Sequence, residues 1–211
     1  YDVKLKKKRL LELQKYKRFS FKKIDLKNAK NLENIFKKNN FKYVFHFAAQ
    51  AGVRYAIKAP RDYINSNIDG FFNVLDLSKK YKISRLFVSS SSSVYGDIKK
   101  FPFKEDFNLK PNNVYSLSKK FNEDLSKSFS NFYGLNVTAL RFFTVYGEWG
   151  RPDMFIMKFI NSANNKKIFF LNNHGNHYRD FTYINDVTKI LYKLLKKKYK
   201  NNYEVYNICG N

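Results

Sequence analysis

Arg85-Leu-Phe-Val-Ser-Ser-Ser-Ser-Ser-Val-Tyr-Gly96 is the stretch that decides the fold. It opens as an apolar run of strand length and closes as a string of hydroxyls ending at a glycine. That pattern reads as a strand, 85–89, that ends in a polar loop. A loop with Pro102 and Pro111 follows, then a long amphipathic segment, 113–133, stopped by Gly134. A glycine just past a periodic apolar segment is a helix C-cap signal.

The same alternation extends outward in both directions. Upstream, residues 4–17 predict a basic helix carrying Leu5, Leu10, Leu11 and Leu13. Strands are predicted at 19–26 and, buried, at 43–48; helices at 31–39 and 61–81. Downstream, 137–143 is another apolar strand, and 181–184, a helix over 186–198 and a strand over 203–208 are expected to return the chain to the main sheet. Strands alternating with helices imply an α/β fold: a doubly wound parallel sheet with helices on both faces. Ligands of such sheets sit beyond the strand C-termini. Ala48, Ala49, Ser91 and Thr144 all fall at such ends. From Tyr146 the texture changes: Gly147, Gly150, Pro152 and the turn His174-Gly-Asn176 suggest a smaller lobe.

Composition narrows the class. The chain has 211 residues, 44% of them hydrophobic and 18% aromatic, enough for a full core. No apolar run approaches the ~18 residues that span a membrane. One cysteine, Cys209, excludes an internal disulfide and fits a reducing, cytoplasmic setting. The formal net charge of +24 suggests nucleic acid, but the lysines are spread over nearly every predicted helix rather than gathered in one patch. A lysine-rich enzyme surface that attracts anionic ligands is the better reading. His174 and His177 have neither the spacing nor the partners of a metal site.

The chemistry lies in Ser91 and in Tyr115-Ser-Leu-Ser-Lys119. Tyr115 and Lys119 stand one helical turn apart on one face. A phenol near a lysine cation can ionise below its usual pKa of about 10. With a serine hydroxyl beside it, it forms a proton relay for a substrate alcohol, and a hydride leaving the same carbon calls for a nicotinamide cofactor. Tyr-x-x-x-Lys also occurs at Tyr95/Lys99 and Tyr192/Lys196, both read as chance. Only Tyr115 has the serine run upstream and an amphipathic helix around it.

Seven segments together resemble one family. They are Tyr1-Asp-Val-Lys-Leu5, His46-Phe-Ala-Ala-Gln-Ala-Gly-Val-Arg-Tyr55, 89–96, 115–119, Arg141-Phe-Phe-Thr-Val-Tyr-Gly147, Trp149-Gly-Arg-Pro-Asp-Met154 and Arg179-Asp-Phe-Thr-Tyr-Ile184. The chain resembles the extended short-chain dehydrogenase/reductase superfamily, in its NAD-dependent epimerase/dehydratase branch, and is most similar there to UDP-glucuronate 4-epimerases. The resemblance implies a Rossmann-like sheet, NAD as cofactor and a UDP-sugar as substrate. It implies Tyr115 as general base, Lys119 as partner of the nicotinamide ribose and of Tyr115, and Ser91 as relay. Asp25 would face the adenine, and Ala48 and Ala49 would approach the cofactor through backbone. Ser92, Ser93, Thr144 and Arg179 would contact the sugar nucleotide, Arg179 pairing two diphosphate oxygens with its fork. Arg54 and Arg151 are further candidates, for a uronate carboxylate. A homodimer built on the helices 61–81 and 113–133 is expected, with no nucleic acid or membrane partner.

The family's Gly-x-x-Gly-x-x-Gly loop, which cradles pyrophosphate at a helix N-terminus, has no counterpart here. The chain therefore reads as an internal fragment lacking the first βαβ unit: 1–144 a partial NAD-binding domain, 145–182 part of a substrate lobe, 183–211 a return to the core. The fragment alone is expected to bind NAD poorly. Ser91, Ser92 and Ser93 stand where the similar 4,6-dehydratases have Thr-Asp-Glu and the decarboxylases a Glu. Hydroxyls cannot readily act as general acids at neutral pH, which leaves reversible oxidation at one carbon. The alternatives are a related UDP-sugar decarboxylase or dehydratase, or a non-catalytic piece binding nucleotide or nucleic acid through its basic surface.

Overall fold

A computed structural model describes residues 1–176 and 179–210; for Val53, Arg54, Asn172 and Asn173 it describes the backbone only. The chain forms two compact units: Ile24–Phe143 with Leu195–Ile208, and Tyr1–Lys23 with Thr144–Leu194 and the residues from Cys209.

The first unit is built on a four-stranded sheet of β1 (Tyr43–His46), β2 (Arg85–Ser91), β3 (Val137–Phe142) and β6 (Tyr203–Ile208), in the order β1-β2-β3-β6. All three ladders are parallel, with Tyr43 opposite Arg85, Leu86 opposite Val137 and Val137 opposite Tyr203. Their C-terminal ends therefore lie along one edge. Alternate residues of a strand face opposite sides. Leu86, Val88 and Val137 join Phe71, Val74, Leu75 and Phe129 in the core beneath α5 (Gly70–Lys80) and α6 (Val114–Tyr133), with Leu32 and Phe36 of α2 (Ala29–Lys38). On the other face Phe45 stacks on Phe87 at 4.5 Å, and Phe47 meets Phe142 edge-on at 5.6 Å.

Two expectations fail here. Residues 19–26 form no strand: they join no ladder among the described residues. The alternation that suggested pairing comes from Ile24 and Leu26 dipping into the core, while Phe21 stays exposed. Asp25 is correspondingly not at the end of a strand among the described residues. The strand predicted at 43–48 stops at His46 and is not buried throughout, with Phe45 36% exposed. Among the described residues it pairs with β2 alone.

The helix predicted at 61–81 is present but wound three ways. α4 (Pro60–Tyr63) passes through a π-helical segment, Ile64–Asp69, into α5. Such segments often mark functional positions, and this one presents the buried Asn67. The short helix α3 (Val53–Lys58) precedes them.

In the second unit, α1 (Val3–Gln14) is capped by Asp2. β4 (Thr144–Tyr146) pairs in parallel with β5 (Phe181–Tyr183), and α7 (Phe155–Asn164) and α8 (Ile184–Lys196) complete the helices. Arg9 of α1 donates to the Gly150 carbonyl at 3.1 Å and to that of Trp149, tying the helix to the 147–151 loop.

Candidate active site

α6 begins where the sequence says it should. Asn113 accepts from the Ser116 amide at 2.9 Å, and Ser116 Oγ accepts from the Asn113 amide at 3.1 Å, a reciprocal cap. This fixes the first turn, which carries Tyr115. One turn later the Lys119 side chain is 2% exposed. Its ammonium donates to the Ser89 carbonyl at 2.7 Å and to Ser89 Oγ at 3.1 Å. The helix face bearing Tyr115 and Lys119 is thus anchored at the C-terminal end of β2. Burial lowers the Lys119 pKa to about 8.

Ser91 is the last residue of β2 and is buried. Its Oγ donates to Ser93 Oγ at 3.1 Å and accepts from the Ser93 amide at 3.2 Å. The chain then turns through a 3-10 segment, Ser92–Tyr95, in which Ser92 and Ser93 are partly exposed. Tyr115 is partly exposed, its ring edge-on to Tyr63 at 6.3 Å. Tyr63 donates to the Gly52 carbonyl at 2.7 Å.

The loop after β1 is held by an amide. Asn67 Oδ1 accepts from the Gln50 amide at 2.8 Å, and its Nδ2 donates to the Gln50 carbonyl and to Ser118 Oγ, both at 3.0 Å. This secures the backbone next to Ala48 and Ala49, the first exposed and the second partly so. His46, at the end of β1, is buried, and its Nε2 has no hydrogen-bond partner among the described residues. Burial, and then the Lys119 charge, lower its pKa to about 3. It is neutral at working pH.

Of the remaining predicted residues, Asp25 and Arg54 belong to the first unit and Thr144, Arg151 and Arg179 to the second. Asp25 is exposed, accepts from the Lys27 amide at 3.0 Å and pairs with the Lys27 ammonium at 3.4 Å. Arg54 lies in α3, and its side chain is outside the described residues. Thr144 opens β4 and donates its amide to the Asp180 carbonyl at 3.2 Å. It lines a small cavity with Arg151 and Met154. Arg151 forks onto Asp153 at 3.0 and 2.6 Å. Arg179 is exposed. Its neighbour Asp180 accepts from the Gly210 amide at 2.9 Å and Thr182 Oγ1 at 3.2 Å. His177 lies outside the described residues. Among the described residues no cluster of three or more His, Cys, Asp or Glu side chains could hold a metal, and no helix is long and apolar enough to cross a membrane.

The family model of the NAD dependent epimerase/dehydratase family matches residues 3–209. The chain belongs to this family. It is 42% identical, over its whole length and 68% of the relative's, to protein CapI of Staphylococcus aureus. It is 40% identical to a UDP-glucuronate 4-epimerase of Thermodesulfobacterium geofontis, covering 64% of that protein. Among solved structures it resembles UDP-glucuronic acid 4-epimerase of Bacillus cereus in complex with UDP-glucuronic acid and NAD, with a TM-score of 0.92 at 31% identity, over 99% of this chain and 66% of that one. The chain thus spans about two thirds of the length of these relatives.

NAD is the family's cofactor, and the residues here fit it. An ammonium has three donors, of which Lys119 directs two at Ser89, so a third can meet a ribose hydroxyl. Ala48 and Ala49 offer backbone without bulk at the same sheet edge.

Sequence reading missed several buried groups around this site: Asn67, Ser90, Glu123 and Arg141. Glu123 had a signal, because it follows Lys119 by four residues and so shares its helix face. Asn67 had none, since a π-helical turn shifts the face on which a residue lands.

Proposed function

We propose that the chain serves an NAD-dependent 4-epimerase of UDP-sugars, interconverting UDP-glucuronate and UDP-galacturonate. The observation that supports this best is the buried Lys119 ammonium on Ser89, one helical turn from Tyr115 and two residues before Ser91. In this reading Tyr115 takes the proton of the sugar's 4-hydroxyl, the nearby Lys119 charge favours the phenolate, and Ser91 relays the proton. When bound, NAD would supply the hydride acceptor and donor for C4 of the sugar, so that the cycle carries no net oxidation. Tyr115 then returns the proton. Lys119 also binds the nicotinamide ribose, Ala48 and Ala49 meet the cofactor through backbone, and Asp25 faces the adenine. Ser92, Ser93 and Thr144 orient the sugar nucleotide. Arg179 pairs with the diphosphate, and Arg54 and Arg151 with the uronate carboxylate.

Ser91–Ser93 favour epimerisation over the dehydratase and decarboxylase readings, since none of the three supplies a carboxyl for elimination. The protein acts as a homodimer through α5 and α6, whose Phe72, Leu117 and Phe121 are exposed, and in the cytoplasm, where a lone cysteine stays reduced. The deciding experiment incubates the full-length protein with NAD and UDP-glucuronate. UDP-galacturonate should form with NAD unchanged. Release of carbon dioxide, or a 4-keto-6-deoxy product, would overturn the assignment.

A further inference from the structure

A buried ion pair lies one turn further along α6 than Lys119. Glu123 and the β3 residue Arg141 are each 4% exposed. Glu123 Oε1 accepts from Arg141 Nε at 3.0 Å, and Oε2 from Arg141 Nη2 at 2.8 Å. Glu123 Oε1 also accepts from Ser90 Oγ. The remaining nitrogen of the guanidinium points elsewhere: Arg141 Nη1 donates to Tyr95 Oη at 2.9 Å and to the Glu105 carbonyl at 3.0 Å. Tyr95 in turn donates to Asn207 Oδ1 of β6 at 2.7 Å and stacks on Phe103 at 4.5 Å.

Replacing a buried pair by apolar groups of similar volume is often neutral for stability, so its presence calls for a reason beyond cohesion. The partners supply one. Ser90 immediately precedes the serine turn and Tyr95 ends it. Glu123 holds the first from α6, and Arg141 holds the second while clasping Glu123. A planar fork with donors in fixed directions suits such a three-way junction, which a point charge could not span. We infer that Glu123 and Arg141 are positioning residues: together they clamp both ends of the Ser91–Ser93 turn and set its height against the helix face that bears Tyr115 and Lys119. The consequence for proton transfer rests on the reading of Ser91 and Tyr115 given above; the clamp itself does not.

The test uses the full chain. Replacing one partner alone strands a buried charge and can unfold the protein. The variants are therefore Glu123→Gln combined with Arg141→Met, and separately Arg141→Lys. Hydrogen exchange by mass spectrometry is read over residues 91–96, with residues 70–80 of α5 as internal control. The double variant should remain folded, with exchange over 91–96 at least about tenfold faster and the control unchanged. Arg141→Lys should fall between it and the parent. Unchanged exchange at 91–96 in a folded double variant would overturn the clamp, as would an equal acceleration everywhere. In the epimerase assay the double variant should lose about 10–100-fold in kcat with little change in KM, as misplacement of reacting groups does. Were the parent protein to epimerise nothing while 91–96 still loosened, the functional reading would fall and the clamp would stand. Turnover with unaltered exchange would remove the clamp alone.

Discussion

Two buried nitrogen groups near the strand ends differ in their partners. Lys119 is held in hydrogen bonds to Ser89, whereas His46 Nε2 is left without one among the described residues. For His46 the pH consequence has a definite sign. The unfolded imidazole takes a proton near pH 6.5, the folded one only near 3, so the unfolded state binds more protons in between. Its contribution to stability is present above about pH 6.5 and is lost as pH falls toward 3. Urea melts across that window should show a shallower acid-side slope for His46→Phe than for the parent; equal slopes would argue against it. For Lys119, also depressed, the folded state binds fewer protons between about pH 8 and 10.5, so its burial becomes less unfavourable as pH rises through that range. A lysine-selective NMR titration should find one midpoint near 8. Tyr115→Phe keeps the ring against Tyr63 but removes the hydroxyl proposed to transfer the proton. Epimerisation should fall by about 10²–10⁴-fold with nucleotide binding retained, as loss of general acid–base catalysis typically does. The placement of Ser91 at the end of a strand and of Tyr115 and Lys119 on one helix face was legible in the sequence because both patterns are local. Glu123 with Arg141, and the orphaned His46, were not, since each is defined by a neighbour distant in sequence.

At the scale of elements, the turn that closes the serine run depends on Gly96. Its φ is +60°, and a Cβ there would stand 1.8 Å from the Lys110 carbonyl oxygen. Gly134 has a similar φ, +67°, but open space around it. Gly96→Ala should therefore destabilise by on the order of 3 kcal/mol or more, backbone strain and clash together. Gly134→Ala should cost about 1–2 kcal/mol from the left-handed backbone alone. Chemical denaturation of both variants checks the order; equal losses would refute the role given to Lys110. Gly134 and the span of α6 were readable because the apolar period and the cap are local. The strand expected at 19–26 joins no ladder among the described residues, because pairing is not local, whereas the burial of Ile24 and Leu26 that gives the pattern is. Why the backbone between Tyr63 and Gly70 adopts π-helical winding could not be read from propensity, because the hydrogen bonds of Asn67 reach Gln50 and Ser118, 17 and 51 positions away.

At the scale of the whole molecule, the net charge of +24 should bind polyanions without sequence preference. Affinity for DNA of any sequence should fall steeply between about 50 and 200 mM salt, as counterion release requires. Binding that resisted salt and preferred one sequence would revive the nucleic-acid reading. Self-association is the second prediction here. Phe72 and Phe121 line an open groove on α5 and α6 with Lys27, Asn73 and Leu125. Changing both phenylalanines to Glu should convert a dimer to a monomer in sedimentation velocity while the circular dichroism spectrum is kept. The topology has a further consequence, for how the molecule is made. Every ladder of the main sheet is parallel, and each joins strands dozens of residues apart, with β6 reaching its place beside β3 only after the whole 144–202 stretch has intervened. Loop-closure entropy must be met before such pairings stabilise anything, so the chain should refold slowly. Throughout that interval the apolar strands β2 and β3, buried in the finished sheet, offer unpaired edges to other chains. Yield on refolding should accordingly depend on protein concentration more than on final stability.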